Sequence, residues 1–129
     1  MQTKAIVQEC FQKILEEGKI DNTTIEHYFS KNYTQCVNGI QIDFENFKSH
    51  LHKQRETIQT ITIKFITLLA EGNIVFTNHL VNARKKDGTH SVFKVLAQFS
   101  LEDGKIIACD ELTQLLEGNQ KDSDLGSRH

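Results

Sequence analysis

The chain has 129 residues, 38% of them hydrophobic and 25% charged, with a formal net charge of −2. That describes one globular domain able to bury its own core, without the basic surplus of a nucleic-acid binder. Three cysteines, odd in number and far apart (Cys10, Cys36, Cys109), argue against a disulfide framework; with no leader-like or membrane-spanning apolar run, the expectation is a cytoplasmic protein with neither membrane nor nucleic-acid partners.

From Thr3 to Glu17, Ile6, Val7, Cys10, Phe11, Ile14 and Leu15 recur at helical spacing and make one apolar stripe. Gly18 follows where a helix C-cap belongs. Thr23 and Glu26 have the capping-box spacing, which predicts a short second helix burying Ile25, Tyr28 and Phe29. Lys31-Asn32 is expected to break it, ahead of a short strand over Tyr33–Val37 and a turn at Asn38-Gly39. Asp43 is a natural N-cap for a third helix reaching Arg55, with Phe44, Phe47 and Leu51 facing the core. His50 falls at the edge of that face and His52 points away, so the two do not share a metal ion.

Ile58 to Leu116 reads as four long strands joined by turns at Glu71-Gly72-Asn73, Lys86-Asp87-Gly88 and Glu102-Asp103-Gly104. On the first strand Ile61, Ile63, Phe65, Thr67 and Leu69 alternate onto one face, and on the third Phe93, Val95, Ala97, Phe99 and Leu101 do so. The second is apolar on both sides: Val75, His79, Val81 and Ala83 stand against Ile74, Phe76 and Leu80. A central strand, or one touching both a core and a partner subunit, has that pattern. The fourth sets Ile107, Cys109, Glu111 and Thr113 opposite Ile106, Ala108, Asp110 and Leu112. Strands this long twist and coil, and the upstream helices supply a cover for one face. Arg84-Lys85-Lys86 at a hairpin tip reads as solvated surface. Residues 1–117 thus form a single domain, and the polar tail 118–129 either frays or folds back over a pocket mouth.

The order of these elements, with Tyr28-Phe29 before Asn32-Tyr33, Asn38-Gly39, Phe47, Asp103-Gly104-Lys105-Ile106 and Asp110-Glu111-Leu112-Thr113, resembles the nuclear transport factor 2-like superfamily. Within it, residues 3–117 are most similar to the SnoaL-like polyketide cyclase branch. The resemblance implies an α+β cone: a curved antiparallel sheet, a short strand plus a four-strand meander, packed on three N-terminal helices around one deep, mostly apolar pocket. It further implies a small, largely apolar organic ligand and a homodimer formed through the outer sheet face. Catalysis, where there is any, would come from inward carboxylates, histidines or tyrosines without metal or cofactor. An acid on the last strand recurs in the cyclase and hydrolase pockets, and Glu111 stands nearest that position. The Arg-x-Asp pair of the hydrolase branch is absent, since Lys94-Val95-Leu96 and Ala97-Gln98-Phe99 occupy that strand; this argues against epoxide hydrolysis.

Asp110 and Glu111 are adjacent, so the pleat sends them to opposite faces and one must turn inward. Parity with Ile107 and Cys109 puts Glu111 inside; the other parity gives Asp110. A carboxylate in an apolar cone has a raised pKa and works as general acid or base. His79, which titrates near neutrality, is the candidate proton partner, with a hydrogen-bonded core or interface histidine as the structural alternative. Tyr33 and Gln35 alternate onto one face of the short strand, Tyr33 as candidate oxyanion donor. His50, Phe65, Phe93, Phe99 and Cys109 complete the expected ligand-binding set with Gln35. Cys36 and Cys109 read as ordinary buried thiols, and six dispersed histidines match no metal-ligand spacing. No phosphate loop, dinucleotide fingerprint or nucleophile elbow occurs. Two functions fit: an acid/base isomerase or cyclase, or a non-catalytic ligand-binding or dimerisation module with an interior plugged by phenylalanines.

Overall fold

α1 (Thr3–Cys10) passes without a break into a π-helical segment, Phe11–Glu16. There the Glu17 N–H donates to the Gln12 carbonyl, five residues back, at 2.9 Å. The single helix expected over Thr3–Glu17 is therefore two kinds of helix in series, and the wider π turn still sends Phe11 and Ile14 into the core. The computed structural model describes residues 2–118. Of the tail expected over 118–129, residues 119–129 lie outside the described residues.

α2 (Asn22–Tyr28) is capped by Asp21 and not by Thr23, the Asp21 carboxylate accepting from the Thr24 N–H at 3.0 Å. It runs directly into β1 (Phe29–Val37), so Lys31-Asn32 lies within a strand, where pairing slips between Phe29 and Thr34. Asn38 and Gly39, at φ 50° and 86°, supply the two positive-φ residues of a tight hairpin turn. The chain returns as β2 (Ile40–Asp43), a strand beyond those expected. α3 (Phe44–Thr57) follows, its cap Asp43 accepting from the Asn46 N–H at 2.9 Å. Then come β3 (Ile58–Glu71), β4 (Ile74–Lys85), β5 (His90–Glu102) and β6 (Lys105–Glu117).

The six strands form one curved sheet in the order β2-β1-β6-β5-β4-β3. β1 lies parallel to β6, which sets Gln35 beside Cys109 and Val37 beside Glu111; the other neighbours are antiparallel. The helices cover the concave face, giving the α+β cone. Pairing slips at several points along the long strands, and two of these slips correct the simple alternation. Between Phe65 and Thr67 the extra residue Ile66 reverses the parity of β3. Leu68 thereby packs on the core, while Leu69 is 62% exposed rather than inward. On β6, Ile107 is the extra residue, so Ile106 and Cys109 both reach the core and Ile107 does not share their face. A bulge bends its strand and adds twist, which helps a long sheet curl into a cone.

The core gathers Val7, Ile14, Ile25, Val75 and Ile106 from helices and sheet, all essentially without solvent contact. On the convex face, Phe76, Leu96 and Leu112 remain exposed. Among the described residues no helix is long and apolar enough to cross a membrane.

Candidate active site in the cone

Strand pairing lays the inner face out in rows. His79 faces Val95 and Val95 faces Thr113; Thr77 faces Ala97 and Ala97 faces Glu111; Val75, Phe99, Cys109 and Gln35 make a third row. Between these rows, the π-helical segment and α3 lies a cavity of about 130 Å³. A dry apolar cavity of about 150 Å³ accepts benzene, so this one has room for a small ring. Phe93 and Phe99 form walls and do not plug it.

Glu111 lines the cavity and is half-buried, whereas Asp110 is exposed on the outer face. The parity question is thus resolved for Glu111, and Asp110 is removed from the site. Thr113 Oγ1 donates to Glu111 Oε2 at 3.0 Å, and Cys109 Sγ lies 3.9 Å from Oε1 as a weak donor. Burial pushes the Glu111 carboxyl up to about 7, even though both side-chain bonds favour the charged form. A carboxyl that changes state near neutrality, inside an apolar chamber, can both take and give a proton.

Tyr33 is buried, its ring 4.7 Å from Phe29 and 4.8 Å from Phe47 between centroids. Its hydroxyl donates to Gln35 Oε1 at 2.8 Å, and burial holds the phenol well above its ordinary pKa. The Tyr33 proton is therefore committed. Gln35 also lines the cavity, and with its carbonyl oxygen engaged by Tyr33 its amide nitrogen is the end left to donate.

His79, 3% exposed, places Nδ1 2.9 Å from Thr77 Oγ1. Its ring meets Phe11 edge-on at 5.0 Å and Phe65 at 5.7 Å. Burial pulls its pKa down to about 4, so it is neutral at pH 7, a hydrogen-bonding group and not a titrating one. Phe65 supports this ring and does not line the cavity, contrary to the expected set. His50, expected at a helix edge, is buried in the cavity wall.

Cys109 and Cys10 also line the cavity, and burial raises both thiols, which makes them poor nucleophiles. Cys36 is half-buried, not buried, and all three cysteines are free. The sequence reading missed Thr113, Gln54, Ala97 and Cys10 as lining residues. Thr113 was detectable as the same-face neighbour of Glu111, and Gln54 as the residue one helical turn beyond His50.

No protein-family model matches the chain. An uncharacterized protein of Schizosaccharomyces pombe is 30% identical over 125 residues, 97% of this chain and 95% of that protein. Among solved structures, an LEH-like epoxide hydrolase of M. tuberculosis superposes with a TM-score of 0.73 at 17% identity, over 87% of this chain and 82% of its own. IdmH of Streptomyces antibioticus, assigned as a polyketide cyclase, gives a TM-score of 0.74 at 11% identity, over 88% and 92%. A nuclear transport factor 2-like protein of unknown function from Exiguobacterium gives 0.69 at 17% identity, over 83% and 97%. At such identities the shared property is the fold.

Proposed function

We propose that this chain, which belongs to one family with the S. pombe protein and shares the fold of the polyketide cyclase and nuclear transport factor 2-like structures, is a SnoaL-like protein that binds a small, largely apolar organic carbonyl compound in the cone and isomerises or cyclises it by side-chain acid/base chemistry. One observation carries the reading: Glu111, whose carboxyl burial pushes up to about 7, stands on the wall of a mostly apolar cavity of about 130 Å³.

Ionised Glu111 removes a proton from the carbon next to the ligand carbonyl. The C–H electron pair becomes a C=C bond, and the carbonyl pair moves to oxygen as an enolate. The Gln35 amide donates to that oxygen, held in place by the Tyr33 hydroxyl on its other end. Where a C=C bond adjoins that carbon, protonated Glu111 returns the proton to the far end of the dienolate and the double bond has moved, which is isomerisation; alternatively the enolate carbon attacks a second carbonyl of the same molecule, whose π pair moves to its oxygen and takes the proton from Glu111, which closes a ring. The missing Arg-x-Asp pair gives no support to epoxide hydrolysis.

The test is deuterium exchange of α-protons in small cyclic ketones in heavy water, followed by NMR. Exchange accelerated by the wild-type protein and lost in Glu111→Gln supports the chemistry. Binding without acceleration for any ketone would replace it with a non-catalytic ligand-binding module.

The same reading includes a homodimer through the convex sheet face, supported by the exposed row of Leu96 and Leu112. Lys94 lies on one side of that row and Asp110 on the other. A two-fold axis along the row stacks the lysine row of one copy on the aspartate row of the next.

A further inference from the structure

Ala97 is the smallest side chain on the inner face of β5, where its neighbours are Phe93, Val95, Phe99 and Leu101. It sits between Thr77 and Glu111 in one row, with His79 and Thr113 in the next. The missing side-chain volume above Ala97 is therefore flanked by two polar poles. One is Glu111 with the Gln35 amide; the other is His79, whose Nδ1 is taken by Thr77, leaving Nε2 as its remaining polar atom.

The span between those poles limits what fits. Strands lie about 4.8 Å apart and same-face residues about 6.6 Å apart along a strand, so Glu111 and His79, two strands and one row apart, start about 10–12 Å from each other. The two side chains and a hydrogen bond at each end take up much of that backbone span, which leaves room for one small ring with an oxygen on either side, and a single ring is also what the cavity volume admits.

We propose that the ligand is an uncharged six-membered cyclic compound carrying oxygens on opposite sides of the ring, seated over Ala97 with one oxygen at Glu111–Gln35 and the other at His79. This rests on the cone being a ligand site, as argued above. It adds the ring, the second oxygen, and the roles of Ala97 as size selector and His79 as a positioning residue.

The probes are cyclohexane-1,4-dione, cyclohexane-1,2-dione, cyclohexanone and toluene, with affinities read by protein-observed NMR titration. The 1,4-dione is expected to bind about tenfold more tightly than the 1,2-dione or cyclohexanone, the worth of one added hydrogen bond. His79→Phe should erase that advantage, so that the variant binds the 1,4-dione no more tightly than it binds cyclohexanone. Ala97→Leu, or the milder Ala97→Val, should abolish binding of every ring while thermal unfolding stays cooperative. Equal affinity for the two diones, an advantage that survives His79→Phe, or ring binding unaffected by both Ala97 variants would each overturn this inference while leaving the cone as a ligand site. Failure of all four probes, toluene included, would overturn the ligand-site reading as well.

Discussion

Thr113 Oγ1 and Glu111 Oε2 lie 3.0 Å apart, two residues from each other on β6 and so on the same inner face. The hydroxyl donates, which favours the carboxylate; burial favours the acid, and burial wins, leaving the group near 7. Removing the donor should therefore move the balance further. Thr113→Val is expected to raise the Glu111 pKa above its wild-type value and to shift the alkaline rise of any proton-abstraction rate with it. Carboxyl ¹³C NMR titration of labelled glutamate reads the shift directly, and an unchanged midpoint would mean that Thr113 does not hold Glu111.

The same carboxyl makes stability depend on pH. Between 4.5 and about 7 the folded chain holds a proton on Glu111 that the unfolded chain has released, so stability falls as pH rises through that window. The full effect is about 3 kcal/mol. His79 works in the opposite direction: between about 4 and 6.5 the unfolded chain binds the extra proton, so stability rises with pH, by a similar amount. The two slopes nearly cancel from about pH 4.5 to 6.5. Glu111→Gln should expose the His79 slope and gain on the wild type as pH climbs to 7; His79→Phe should expose the falling one. Urea unfolding at pH 4.5, 5.5, 6.5 and 7.5 measures both, and parallel curves for variants and wild type would refute the opposed pair.

Tyr33 and Gln35 make a buried pair at 2.8 Å on alternate positions of β1. Tyr33→Phe leaves the Gln35 carbonyl oxygen without its donor, at a cost of about 1–2 kcal/mol. Added to Gln35→Met the same change should cost less, because no acceptor is then stranded; the coupling in the double-mutant cycle should be about 1 kcal/mol. Purely additive losses in chemical denaturation would show that the bond contributes nothing.

Much of this was legible in the sequence because it is decided locally. Asn38-Gly39 and Asp103-Gly104 announce their turns since both residues of each pair take positive φ. The pleat alone requires one of Asp110 and Glu111 to turn inward, with no knowledge of the fold, and leaves open which of them does. What escaped is decided by the whole sheet. The bulges at Ile66 and Ile107 answer to curvature, and no residue type there signals one. β2 is four residues of mixed polarity at the edge of the described sheet beside β1, too short for periodicity to register. The π turn at Phe11–Glu16 presents nearly the same apolar stripe as an α-helix would. The exact parity of β6 needed Ile107 to be recognised as the extra residue, and Tyr33 looked like a free donor until its partner was in view.

The convex face supplies the last prediction. Leu112 is 65% exposed and faces Leu96 across β5 and β6, with Phe76 on the next strand also open. Exposed apolar side chains gathered on one sheet face are unfavourable in water and mark an interaction surface. Leu112→Glu places a charge at the centre of that row without touching the cavity, because residue 112 points away from Glu111 and Thr113. If a second copy covers the face, the wild type should sediment as a dimer at micromolar concentration and Leu112→Glu as a monomer, with cyclic-ketone binding intact. A charge-reversed pair should restore assembly in a mixture: Lys94→Glu alone weakens the dimer, and equimolar Asp110→Lys recovers it, since the two rows stack on each other only across the interface. A wild-type chain that sediments as a monomer would remove the second copy from the proposal and leave the face to another partner.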